Sequence, residues 1–229
     1  MAPRLQAVIT GDIVGSSRLD REERGWLHGH LQEASRQLRY AWSDIVPYHI
    51  DIFRGDSWQL LVAQPPRSLM VALYLRTFVR SGLASLRLDT RLAIGVGKVE
   101  GIPGGNVSSG HGEAFSLSGA ALEGLVRGHR MTIALSKDID RPSLSALDVV
   151  LKLVDALAQR WTPKQAFAVG KSLAGLTQEQ IASEWLERHI TQQAVAQHLD
   201  RAGWDSVRLA VSHFEGALET ATWNKSQDL

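Results

Sequence analysis

The chain of 229 residues contains no cysteine. Disulfides, zinc–thiolate sites and thiol catalysis are therefore excluded. It also lacks an apolar run of about eighteen residues, so no membrane-spanning helix is expected. No secretory pattern opens it, because Gly11 and Asp12 interrupt the first apolar stretch early. A cytoplasmic protein is the expectation. Surplus charge of either sign is missing too. A net charge of +1 argues neither for a strongly basic nucleic-acid binder nor for an acidic tail. What is present is the composition of an ordinary globular protein, 44% hydrophobic and 21% charged. The length suits one large domain or two modest ones. Seven tryptophans are spread along the chain and suggest several small packing centres.

Leu5 to Ile13 reads as a buried strand. Asp20 is placed to cap a following helix, with Glu23 three residues on, and that helix runs to about Trp42. Tyr48–Phe53 and Trp58–Ala63 form two short apolar runs around Arg54-Gly55-Asp56-Ser57, the pattern of a hairpin. Ser68 to Ser81 is apolar almost all round and predicts a deeply packed helix. Arg87 to Val99 predicts a strand, Phe115 to Val126 a short helix of small residues, and Arg130 to Leu135 a last strand. The order β-α-β-β-α-β-α-β predicts an α+β fold close to ferredoxin-like topology, with helices on one face of a largely antiparallel sheet. Near Asp138 to Ser143 the strand pattern stops. The expected division is 1–140 for the sheet domain and 141–229 for a helical domain of four or five helices.

Two segments carry chemistry in the first part. Val8 to Ser17 contains Gly11-Asp12-Ile13-Val14-Gly15-Ser16-Ser17, and Ile50 to Trp58 contains Arg54-Gly55-Asp56-Ser57. Each sets an acidic residue at an apolar strand beside a glycine. That arrangement lets a carboxylate leave the sheet and meet a metal, and two such carboxylates suit one or two divalent ions. An aspartate in a Gly-Asp hairpin is also a common turn former, and for Asp56 alone both readings stand. Gly95-Val96-Gly97-Lys98 lacks the Walker spacing and reads better as a strand end. His111-Gly112-Glu113 suits either a ligand-facing or a solvated loop. His28 and His30 have no partner at metal-ligand spacing and read as surface residues.

Together with Arg91-Leu92-Ala93-Ile94-Gly95-Val96-Gly97-Lys98-Val99, these segments resemble the class III nucleotide cyclase domain. Within that superfamily the whole chain looks most like the SatD-type proteins, which join a cyclase-like domain to a helical DNA-binding tail. The resemblance implies that Asp12 and Asp56 hold Mg²⁺ or Mn²⁺, with the backbone carbonyl of Ile13 completing the site. It implies that Gly15, Ser16 and Ser17 wrap a phosphate chain with backbone N–H groups. It also exposes departures. The base-reading lysine of the active cyclases is replaced by Ile52. The helix asparagine and arginine that orient the ribose and stabilise charge are replaced by Ser116 and Ala120. Losing such a donor typically costs about two to three orders of magnitude in rate. Arg18, Arg54, Lys98 and Arg127 are the cations available to substitute, and Arg54 and Lys98 join the candidate phosphate-binding set. The expectation is a retained metal–phosphate half-site with weak or absent turnover.

In the second part, Thr177 to Leu186 followed by Ile190 to Arg201 resembles a helix-turn-helix. Val195 and Leu199 face inward, and Thr191, Gln192, Gln193, Gln197 and Arg201 face outward. Glutamines suit adenine edges, and Thr and Arg suit phosphates. The turn at Glu187-Arg188-His189 is about three residues longer than the tight form. From 141 onward nine Lys and Arg stand against ten Asp and Glu, a poor balance for phosphate affinity. A bundle that packs on the first domain or a second subunit is the competing reading. The sequence as a whole points to a DNA-binding regulator with a degenerate nucleotide-binding domain, acting as a homodimer on double-stranded DNA. An active nucleotidyl cyclase with a dimerising tail is the alternative, and a structural adaptor the third.

Overall fold

A computed structural model describes residues 5–53, 55–82, 86, 88–139, 146–185 and 189–226, with no side-chain description from 222 onward. The first part runs β1 (Leu5–Val14), α1 (Arg21–Ala41), β2 (Asp51–Phe53), β3 (Ser57–Val62), α2 (Ser68–Gly82), β4 (Asp89–Lys98), α3 (Glu113–Glu123) and β5 (Met131–Leu135). This is the element order expected. The cap expected at α1 is present: Asp20 accepts from the Glu23 N–H, and the Glu23 side chain accepts from the Asp20 N–H. The first hairpin strand is shorter than expected, beginning at Asp51 rather than Tyr48.

The sheet order is β2-β3-β1-β4-β5. All neighbours are antiparallel except β4 and β5, which are parallel. Helices cover both faces, not one. Ala7 and Ile9 of β1 join the large core with α1 and α2, while Val8 packs with Leu61, Val107 and Ala114 in a smaller core on the other side. The physical reason lies in β4. A Cβ at Gly95 would lie 2.3 Å from the Ala114 carbonyl oxygen of α3, so glycine there lets that helix reach the sheet.

Beyond this come α4 (Leu147–Ala158), α5 (Pro163–Leu173), α6 (Gln178–Ser183), α7 (Gln192–Ala202) and α8 (Trp204–Ser226). Thr162 and Thr177 head complete capping boxes at α5 and α6. Thr191 caps α7, and Gly203 at φ 72° ends it. The expected division at 140/141 falls on residues outside those described. The helices after it share one continuous core with the sheet: Leu73 of α2, Leu92 of β4, Leu151 of α4 and Phe214 of α8 belong to the same cluster. As its composition predicts, α2 is buried nearly all round.

A buried ionic network crosses the same boundary. Arg76 of α2, fully out of water, donates two hydrogen bonds of 2.9 Å to Asp89 and one of 2.7 Å to Asp155 of α4. Arg80 donates to Asp89 and to the carbonyls of Gln159 and Trp161. The Trp161 indole N–H in turn donates to the carbonyl of Ala202, the last residue of α7. Among the described residues no helix is long and apolar enough to cross a membrane.

Candidate functional site

Register sets the site. Phe53 lies opposite Ser57, Ser57 opposite Asp12, and Asp12 opposite Arg91, a single row across β2, β3, β1 and β4. In antiparallel pairs opposite residues share a face. Two residues along, Thr10 hydrogen-bonds Ser118 of α3 at 2.8 Å, so the row lies on the α3 side of the sheet. There α3 lies over β1, β4 and β5, and the turn Val107–Ser109 packs near β2 and β3. That turn is clasped to the sheet by Asp51, which accepts from the N–H and hydroxyl of Ser108.

Gly11 owes its identity to packing. A Cβ there would lie 2.3 Å from the Trp58 ring, which fills the core below and donates its N–H to Thr90. Gly15, at φ 89°, reverses the chain after β1 into a 3-10 turn over Ser16–Arg18. That turn brings Ser16 to the hairpin, where its hydroxyl donates to the Asp56 carboxylate. Asp12 is held by Arg91, whose Nε and Nη2 donate to its two carboxylate oxygens. The hydrogen bonds to Asp12, reinforced by the charges of Asp12 and Asp56, raise the Arg91 guanidinium above its ordinary pKa.

Thus Asp12, Asp56, Gly15 and Ser16 come together, and Ser17 is exposed on the same turn. Ile13 turns its side chain into the core. Arg54 lies outside the described residues. Lys98 does not join them. It pairs across the sheet with Leu5, seven positions along β1 from Asp12 or roughly 23 Å. There its ammonium meets Asp138 at 3.1 Å. Ser116 and Ala120 are exposed on α3, and Ile52 is half-buried. His30 is not the surface residue expected. It is half-buried beside Phe78 and Gly82, with Nε2 2.8 Å from the Phe78 carbonyl, and burial lowers its pKa.

Sequence reasoning missed Arg91 as a member of the site. The signal was an arginine near the start of a strand, and its meaning depends on a pairing register that sequence does not print.

Asp12 holds the guanidinium of Arg91, and the charge of Asp56 is near enough to act on it as well. Among the described residues no three His, Cys, Asp or Glu side chains cluster as metal ligands. A two-carboxylate site leaves its remaining positions to water, phosphate and main-chain oxygens.

In the helical part, Thr191, Gln192, Gln193, Gln197 and Arg201 are all exposed, while Val195 and Leu199 are buried. The helix α6 ends at Ser183, earlier than the expected Leu186, which is outside the described residues. Trp185 stacks on His198 of α7 at 5.1 Å between ring centres. Burial, with the charges of Lys164 and Arg201, lowers the His198 pKa.

No protein-family model matches the chain, and no curated protein matches it by sequence. Among solved structures, a crystal structure of the guanylyl cyclase Cya2 aligns with a TM-score of 0.41 at 17% identity, over 58% of this chain and 77% of that one.

Proposed function

We propose that the chain is a cytoplasmic, homodimeric regulator that binds double-stranded DNA through a helix-turn-helix formed by α6 and α7. Its ferredoxin-like, cyclase-type sheet domain binds a nucleotide or a metal–phosphate ligand. The observation that carries this reading is the two-sidedness of α7. All five candidate contact residues face solvent, while Val195 and Leu199 anchor the helix from behind. In the sheet domain Asp12 and Asp56 would hold Mg²⁺ or Mn²⁺, which neutralises phosphate charge when bound. Gly15, Ser16 and Ser17 supply the turn beside it. Arg54 stays a candidate for phosphate, whereas Lys98, at the far end of the sheet, has no part in this reading.

The experiment is fluorescence anisotropy of labelled duplex DNA at low salt, with ATP or GTP and Mg²⁺ present or absent. Binding is expected to weaken with salt. Arg201→Ala is expected to lower the salt slope by about one, and Gln193→Ala to change sequence preference. Absence of any DNA binding at low salt would remove the reading. An active cyclase with a dimerising tail is favoured by the retained carboxylate pair and opposed by Ile52, Ser116 and Ala120. Cyclic product from ATP or GTP with Mn²⁺ would decide for it.

A further inference from the structure

Arg91 forms a bidentate ion pair with Asp12 across the sheet. Its partner Asp12 directly opposes it in the strand register, so the pairing needs no long reach. Its field also reaches Asp56, the second carboxylate of the site. Yet its side chain is 43% exposed, and that of Asp12 is 20% exposed. The pair is bidentate, so releasing the guanidinium has a real cost, but both partners are open enough to solvent for a competing cation to reach the carboxylate. Arginine also stays protonated at any physiological pH. Loss of its proton therefore cannot free the carboxylates, and a second cation can. A divalent ion brings twice the charge and prefers hard carboxylate oxygens. A displaced guanidinium has the planar fork that suits phosphate oxygens.

We infer that Arg91 is a tethered counter-ion: it holds Asp12, beside Asp56, until a divalent cation replaces it, and it then serves the phosphate that arrives with that cation. This rests on the metal–phosphate reading above. It adds a consequence that reading lacks. Cation and phosphate bind cooperatively through one side chain, because the cost of releasing Arg91 from Asp12 is recovered only when phosphate is present.

The test uses the full chain with two probes, MnCl₂ alone and the preformed 1:1 Mn²⁺–tripolyphosphate complex. Binding is followed by calorimetry and by the electron paramagnetic resonance of Mn²⁺. Tripolyphosphate carries no base, so base reading does not enter. Wild type is expected to bind the complex at least about tenfold more tightly than Mn²⁺ alone. Removing the competing charge in Arg91→Gln is expected to tighten Mn²⁺ alone by about tenfold and to abolish the advantage of the complex. Arg91→Lys, which keeps the charge but not the fork, should lie between them, and circular dichroism checks that each variant is folded. Asp12→Asn should bind neither probe. If Arg91→Gln behaves as wild type on both probes, or tightens Mn²⁺ yet keeps the tripolyphosphate advantage, the inference fails while the metal reading stands. If neither wild type nor Arg91→Gln binds Mn²⁺, both fall.

Discussion

Arg76 places a full positive charge where no water reaches it, and two carboxylates answer it. Asp155 is equally buried and also accepts from the Arg130 N–H at 2.7 Å and from Gln159. Removing one member strands the others. Asp155→Ala is expected to lower the unfolding free energy by about 3–5 kcal/mol in urea titrations. A loss below about 1 kcal/mol would show that the network carries no such weight. His30 gives the residue scale a pH dependence. Burial lowers its folded pKa, so the unfolded chain takes up the proton first and stability rises with pH. The His30 contribution is complete above about pH 6.5 and is lost as pH falls through the lower folded value. His49 and His198 are shifted the same way. Unfolding titrations at pH 7.5 and 5.5 should therefore show a fall in the wild type that is smaller in His30→Gln. Equal falls would remove His30 from the account. None of this was legible in the sequence, where Arg76 and Asp155 look like polar positions on helices and His30 like a surface residue. The two carboxylate partners of Arg76 are 13 and 79 positions away.

Elements were more legible than residues. Every strand and helix of the first part was expected in its order, because periodicity and capping are local signals. The Thr177 capping box and the stop at Gly203 also follow directly from sequence. Which face a helix covers was not legible, since it depends on close approaches that single glycines permit. The clearest is Gly170 of α5 against α2, where an added Cβ would stand 2.4 Å from the Thr77 hydroxyl. Gly170→Ala is expected to destabilise the chain by about 1–3 kcal/mol. Thr77→Ala in the same chain should recover a large part of that loss, because it removes the atom in the way. Additive losses in thermal unfolding would place the crowding elsewhere.

At the scale of the whole molecule, the placing of Asp12 on β1, of Asp56 in the turn between β2 and β3, and of the two faces of α7 was legible in the sequence. The relation between them was not. One hydrogen-bonded series runs from Asp89 through Arg80 and Trp161 to the end of α7, and no local pattern announces it. Asp89 also adjoins Thr90, whose hydroxyl donates to the Asp12 carbonyl, so the series begins beside the carboxylate site. Arg76 extends the same point to time. The last strand of the sheet ends at Leu135, but the second carboxylate for Arg76 arrives only with Asp155. On the ribosome the first half is therefore complete in sequence before it is complete in charge. Nascent chains stalled with residue 140 just outside the exit tunnel should be cut readily by protease, and chains released to full length should resist. Equal resistance would mean that the sheet folds without its helical half. Otherwise the protein is made as two halves and matures as one, with α4 closing the account for a residue translated long before it.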